Sequence, residues 1–327
     1  MRLIAVIAAA FVLLAAPACA ANVGFEEIRI ANGAEPPLMV GVWYPTDALE
    51  VDQRIGAFNQ RVVPRAPAAG SGLALVVVSH GGGGGYDSHY DTALALAHAG
   101  FVVAAISHAG DTHDDQSQVL KLWRRPAQLR QLVSYMLDDW AHHDQLDGRR
   151  VGAFGFSNGG FTVLVAAGGI PDLGEIGPYC QANPDHDLCD ALRRASVDPH
   201  LGGDVPPDAW RPDPRIKAAV IAAPAFGFAF TKAGLGQVRI PIQLWRAADD
   251  KHQPNPWYEE RVRAALPNAP EYHVVAGAGH FDFLPPCSPR LAAVAAQICA
   301  DSSGFDRAKF HEQFNADVTR FFQAHLN

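Results

Sequence analysis

The chain has 327 residues with a formal net charge of -8, and 49% of its residues are hydrophobic. That apolar share is enough for a sizeable core in one large domain or two small ones, and the acidic balance argues against a nucleic-acid surface, which needs a basic face. No heptads, internal repeats or long low-complexity runs occur.

Arg2 is the only charge in the first stretch. An apolar run over residues 3–16 follows and ends in the small residues Ala16-Pro17-Ala18-Cys19-Ala20-Ala21. A charged start, a short apolar run and an A-x-A site predict a signal peptide over residues 1–20, cleaved after Ala20. The run is too short for a good membrane span, so the mature chain is expected to carry no stable span and to be periplasmic or secreted. Lipidation at Cys19 is the competing reading; the leucine usual before such a cysteine is absent. Removing Cys19 leaves Cys180, Cys189, Cys287 and Cys299 of the five cysteines. In an oxidising compartment an even set reads as two disulfides. Of the three possible pairings the local one, 180 with 189 and 287 with 299, is the simplest. Zinc would need a different cysteine spacing.

Residues 23–30 and 39–44 read as strands, the second rich in β-formers and stopped by Pro45. Residues 47–71 are polar with Pro and Gly and read as a long connection. A different rhythm then begins. Residues 73–79 form a continuous apolar, β-branched run that ends in His80 and five glycines. Residues 92–99 predict a helix, 101–106 a strand, and 125–140 a helix with Leu129, Leu132, Val133, Met136, Leu137 and Trp140 on one face. Residues 151–156 give another apolar strand, followed by a helix over about 158–167. Fully apolar strands alternating with helices predict an α/β fold with a mostly parallel sheet covered on both faces. Residues 168–214, rich in Pro, Asp and Gly, break the alternation and read as a lid-like insertion after this helix. Strands are expected again at 218–222, 242–245 and 272–275, and a terminal helix at 306–325, all within a single domain over residues 21–327.

The strongest local signal is Gly155-Phe156-Ser157-Asn158-Gly159, a G-x-S-x-G between an apolar strand and a helix. The turn is too tight for side chains two residues either side of the serine. It lifts the hydroxyl above the sheet edge, next to the free amides of a helix N-terminus. A serine hydroxyl needs a base to take its proton. His280, in the glycine-rich run Ala276-Gly277-Ala278-Gly279-His280-Phe281 beyond the last strand, is in position to swing over Ser157. A carboxylate must hold the imidazole in the right tautomer. Asp249 and Asp250 both follow the preceding strand, and Asp250, four residues before Pro254, is the choice. For a developing oxyanion the candidate donors are the amide of Asn158 and that of Gly82 or Gly83. The cluster Asp111-Thr112-His113-Asp114-Asp115 reads as a solvated turn and not a metal site, with Asp111 shaping the pocket mouth. Phe226, Phe228 and Phe230 beyond one strand, with Phe281 and Phe283 beside the histidine, are candidates for an acyl pocket; core packing is their other reading.

The order Ser157, Asp250, His280 resembles that of the α/β-hydrolase superfamily. Within it the chain is most similar to the group of predicted dienelactone hydrolases related to plasma-type platelet-activating-factor acetylhydrolase. The resembling residues are Ser79-His80-Gly81-Gly82-Gly83, Ser107-His108-Ala109-Gly110-Asp111, Gly155 to Gly160, the segment from Leu244-Trp245 to Asp250, and Gly279-His280-Phe281. The resemblance implies hydrolysis of a small-molecule carboxylic ester or lactone with no metal or organic cofactor. Dienelactone hydrolases carry cysteine at the turn, where this chain has Ser157, so a general esterase is the expectation. An acyltransferase with the same three residues, or a non-catalytic binding protein on a hydrolase fold, are the alternatives.

Overall fold

The computed structural model describes residues 21–198 and 205–326; the expected signal peptide lies outside them. Ten strands form one sheet in the order β10-β9-β8-β7-β5-β6-β2-β1-β4-β3. They are β1 Asn22–Asn32, β2 Glu35–Thr46, β3 Val51–Ile55, β4 Phe58–Pro64, β5 Leu73–Ser79, β6 Val102–Ser107, β7 Leu146–Phe156, β8 Ile216–Ala222, β9 Ile242–Ala247 and β10 Glu271–Val275. From β6 to β10 across the sheet every pairing is parallel, and β2 joins β6 antiparallel.

The helices are α1 Tyr90–His98, α2 Arg124–Asp138, α3 Asn158–Ala166, α4 Ile176–Ala182, α5 Asp187–Arg194, α6 Glu259–Ala265, α7 Pro289–Val294, α8 Ala296–Cys299 and α9 Arg307–Leu326. The continuous apolar strands have a simple cause. In β5, Leu75 and Val77 pack into the layer of α2, α3 and α6, while Ala74, Val76 and Val78 pack into the layer of α1 and α9. Alternate side chains point to opposite faces, and both faces are dry. The terminal helix contributes Phe314, Val318, Phe321 and Phe322 to that second layer.

Residues 47–71 are not an open connection. They contain the hairpin β3–β4, whose pattern was hidden by polar residues. In β4, Phe58, Gln60 and Val62 are buried while Asn59 and Arg61 are exposed. Gln60 breaks the apolar alternation because its side-chain oxygen accepts a hydrogen bond from the Trp43 indole at 2.8 Å. The segment 168–214, expected as an insertion, holds α4 and α5, joined by a Cys180–Cys189 disulfide. A second disulfide, Cys287–Cys299, closes the segment carrying α7 and α8.

The chain passes from β5 through α1 to β6 on one side, then crosses through α2 to β7 on the other side of β5. The strand order therefore reverses at β5. In open parallel sheets the crevice beyond the carboxyl ends of strands at such a switch point is where ligands bind. Here it is bounded by the glycine loop after β5 and by Ser157 after β7.

Candidate active site

Ser157 sits between β7 and α3 with φ 55° and ψ -119°, left-handed backbone that non-glycine residues avoid. The flanking glycines make the turn possible. A Cβ on Gly155 would lie 2.2 Å from the carbonyl oxygen of Gly159, and one on Gly159 would lie 1.8 Å from that of Ser79. The turn is fixed by the Ser157 amide, which donates to Ala222 O at 3.0 Å, and by the Ser157 carbonyl, which accepts from Ala225 N at 3.0 Å.

Three loops then converge. His280 Nε2 lies 3.1 Å from Ser157 Oγ, and His280 Nδ1 lies 2.7 Å from Asp250 Oδ2. The His280 and Asp250 side chains are almost wholly buried, whereas the neighbouring Asp249 is exposed. Burial opposes ionisation of Asp250, but the facing imidazole and the Gln253 amide, which donates to Oδ1 at 2.8 Å, hold its carboxyl below the usual range. His280 is held in turn from behind. Asp282 accepts from the Gly279 amide at 2.8 Å and is paired with the buried Arg307 of α9 at 3.1 Å. Such a chain can pass the serine proton to the imidazole and stabilise the cation that results.

The amides of Asn158 and Gly82 have no acceptor among the described residues, and both residues line the Ser157 crevice. Gly83 does not serve as expected. Its amide donates to Asp111 Oδ1 at 2.7 Å, so it is spent on holding the loop. Asp111 is likewise not at the pocket mouth. It is buried and paired with Arg125 Nη1 at 2.5 Å. Arg125 also donates to Thr162 Oγ1 at 3.1 Å and to the His80 carbonyl. This network pins the glycine loop against α2 and α3 from below.

The crevice has a volume of about 430 Å³. Phe226 and Phe281 line it, as do Tyr258, Leu188 and Ala191. Phe228 does not. It stacks on Tyr179 with ring centroids 3.9 Å apart, one layer behind the wall, and Tyr179 bonds the Tyr258 hydroxyl at 3.3 Å. Tyr258 and the following residues escaped the sequence reading. Gln253 Nε2 approaches Ser157 Oγ at 3.4 Å. Leu188 and Ala191 come from α5 in the insertion, whose Asp187 meets His252 at 2.5 Å beside the His280 ring. Burial first, and the neighbouring His280 next, lower the His252 pKa, so this contact is a hydrogen bond to a neutral imidazole near neutral pH. Only the D-x-x-x-P spacing around Asp250 pointed toward Gln253; nothing in the sequence placed α5 over the serine.

No protein-family model matches the sequence, and no curated protein does. Among solved structures, a ferulic acid esterase from Streptomyces cinnamoneus is similar, with a TM-score of 0.63 at 19% identity, over 96% of this chain and 92% of that one. The fold is that of the α/β-hydrolases. At this identity the likeness concerns the architecture.

Proposed function

We propose that the protein is a serine-dependent carboxylic ester hydrolase with Ser157 as nucleophile, His280 as general base and acid, and Asp250 as the residue that orients the imidazole. The observation that carries this reading is the unbroken chain Ser157 Oγ, His280 Nε2, His280 Nδ1, Asp250 Oδ2, with spacings of 3.1 and 2.7 Å, opening onto a crevice. His280 takes the hydroxyl proton as the serine oxygen attacks the ester carbonyl. The Asn158 and Gly82 amides, already free of other acceptors, stabilise the oxyanion. His280 then protonates the leaving alcohol, and water attacks the acyl-enzyme by the reverse sequence.

The aromatic and aliphatic lining, Phe226, Phe281, Tyr258 and Leu188, favours an ester with an apolar or aromatic group beside the carbonyl. Cleavage of aromatic-acid esters, as named for the structural neighbour, lies within that class. Helix α5 forms part of the crevice wall, which supports a lid-like role for the insertion within a single domain. The two disulfides support a chain that matures in an oxidising compartment after export, and among the described residues no helix is long and apolar enough to cross a membrane.

The decisive assay compares wild type with Ser157→Ala on short-chain p-nitrophenyl esters and on aromatic-acid methyl esters. Turnover by wild type and a folded but inactive variant are expected. Equal rates in the two proteins would overturn the assignment of Ser157.

A further inference from the structure

A larger cavity, of about 530 Å³, lies outside the Ser157 crevice. Three excursions from the sheet enclose it: the β3–β4 turn, residues Gly83 to Gly85 of the glycine loop, and the disulfide-closed segment of α7 and α8. Its walls do not close on one another although they are tied. The Ser288 hydroxyl donates to the Ala57 carbonyl at 2.9 Å, and the Cys287–Cys299 bond fixes the segment behind it. The interior is apolar, formed by Phe58, Leu284, Leu291 and Ile298, with Val294 on its open side. Val294 is 80% exposed in the free protein, a cost in apolar hydration that an apolar occupant would remove.

The rim carries charge of a selective kind. Asp87 accepts from the Ala57 amide at 3.2 Å, and His113 is paired with Asp114 at 3.2 Å. The guanidinium groups of Arg54 and Arg290, by contrast, have no hydrogen-bond or ion-pair partner among the described residues. A guanidinium presents a planar fork that matches a carboxylate. The single carboxylate of Asp87 on the same rim disfavours a dianion, and the enclosed volume suits a small molecule better than a chain segment.

We propose that this cavity is a binding site for a small monocarboxylate carried on an apolar body, held by Arg54 and Arg290 at the rim with its tail among Phe58, Leu291 and Val294. The inference does not depend on the role of Ser157, because no residue of the Ser157–His280–Asp250 chain lines the cavity.

Calorimetric titration with octanoate, and with 1-octanol as its uncharged counterpart, tests it on protein carrying Ser157→Ala so that no turnover intervenes. Octanoate is expected to bind one-to-one and more tightly than octanol. Arg54→Gln with Arg290→Gln should weaken octanoate about tenfold, the scale of one charge-assisted contact, and leave octanol unchanged. Both arginines are exposed and unpaired, so the double variant should fold as the parent does. A further variant, Ala191→Trp, fills the Ser157 crevice from α5 and should leave octanoate binding intact. Octanoate affinity indifferent to the arginine substitutions, lost in Ala191→Trp, or no better than that of octanol would each overturn the site.

Discussion

The protein contains two chains of serine, histidine and a side-chain oxygen with nearly the same spacings. In one, Ser157 Oγ is 3.1 Å from His280 Nε2, and Nδ1 is 2.7 Å from Asp250. In the other, Ser79 Oγ is 2.9 Å from His108 Nε2, and Nδ1 is 2.9 Å from Gln128 Oε1. By distance alone they are alike. They differ in what surrounds them. Ser79 and His108 are sealed from solvent, and Arg125 lies over the hydroxyl at 3.5 Å. Ser157 stands on left-handed backbone at the edge of a crevice with two unspent amides nearby. The third member is neutral in the buried chain and a carboxylate in the open one, so only the open chain can stabilise an imidazolium. Burial and the Arg125 charge push the His108 pKa well below its ordinary value, which keeps that ring neutral. Donor geometry thus makes a network; access, a counter-charge and free donors are what set the Ser157 chain apart.

The comparison is tested most severely by removing the members that the two chains do not share. Ser157→Ala should lower kcat by on the order of 10⁴ to 10⁶, and Asp250→Asn, which gives the open chain a neutral third member like Gln128, by about 10⁴. Ser157→Ala should unfold at close to the wild-type denaturant concentration, and Asp250→Asn at a lower one, since the buried carboxylate contributes stability at neutral pH. An Asp250→Asn enzyme with near-normal kcat would show that the charge difference between the chains is unimportant.

The next effect is on stability and falls on the buried side. Arg125→Met leaves Asp111 buried without its cation, and a broken buried pair of this kind costs about 3–5 kcal/mol. Denaturant unfolding measures it. The double variant Arg125→Met with Asp111→Asn should recover part of the loss, since no charge is then stranded. A single-variant loss under about 1 kcal/mol would mean that the network is not sealed as described.

These two regions were unequally legible in the sequence. Gly155 and Gly159 announce the serine turn because each is required by a backbone contact that any Cβ would violate. His280 and Asp250 could be chosen by their place after strands, since a parallel sheet delivers its loops to one edge. The buried network could not be read this way. Arg125 sits in a helix whose apolar periodicity says nothing of an inward guanidinium, and Asp111 and Gly83 looked like site residues because they flank one. Their contact depends on how α2 packs under the glycine loop, a tertiary fact without a local signature. The α5 wall and the β3–β4 hairpin were missed for related reasons: one is an excursion held by a disulfide, the other pairs through a buried glutamine that the tryptophan satisfies.

Acid should separate the regions further. His80 and His108 are held neutral by burial and by Arg125, with pKa values well below the ordinary one, and burial lowers His89 to about 4. In the unfolded chain these rings protonate at about 6.5. Below that pH the unfolded state binds more protons than the folded one, so stability falls as pH drops, by about 1.4 kcal/mol per pH unit for each such ring. The His89 contribution stops growing near pH 4. Asp250, whose pKa is depressed, contributes stability that is present above its unfolded pKa of about 3.9 and lost only as pH falls below it toward the folded value. Loss beginning near pH 6.5 therefore reports imidazoles held neutral, His80, His89 and His108 with a smaller share from the half-buried His252, and not the Asp250 carboxylate. Unfolding midpoints that stay level from pH 7 to pH 5 would contradict the sealed, neutral state of the Ser79 chain.

The smallest effect is the most discriminating. Ser79→Ala removes a hydroxyl bonded to His108 at 2.9 Å while leaving every member of the Ser157 chain in place. It should cost about 1–3 kcal/mol, the range for a buried partner left unsatisfied, and leave kcat and KM unchanged. A fluorophosphonate probe, which reacts only with an activated serine, gives the same comparison chemically. Peptide mapping by mass spectrometry should find the adduct on Ser157 alone in wild type, the same adduct in Ser79→Ala, and none in Ser157→Ala. An adduct on Ser79 would mean that the buried chain opens to reagents and activates its hydroxyl, and the distinction drawn between two networks of equal geometry would fail at its root.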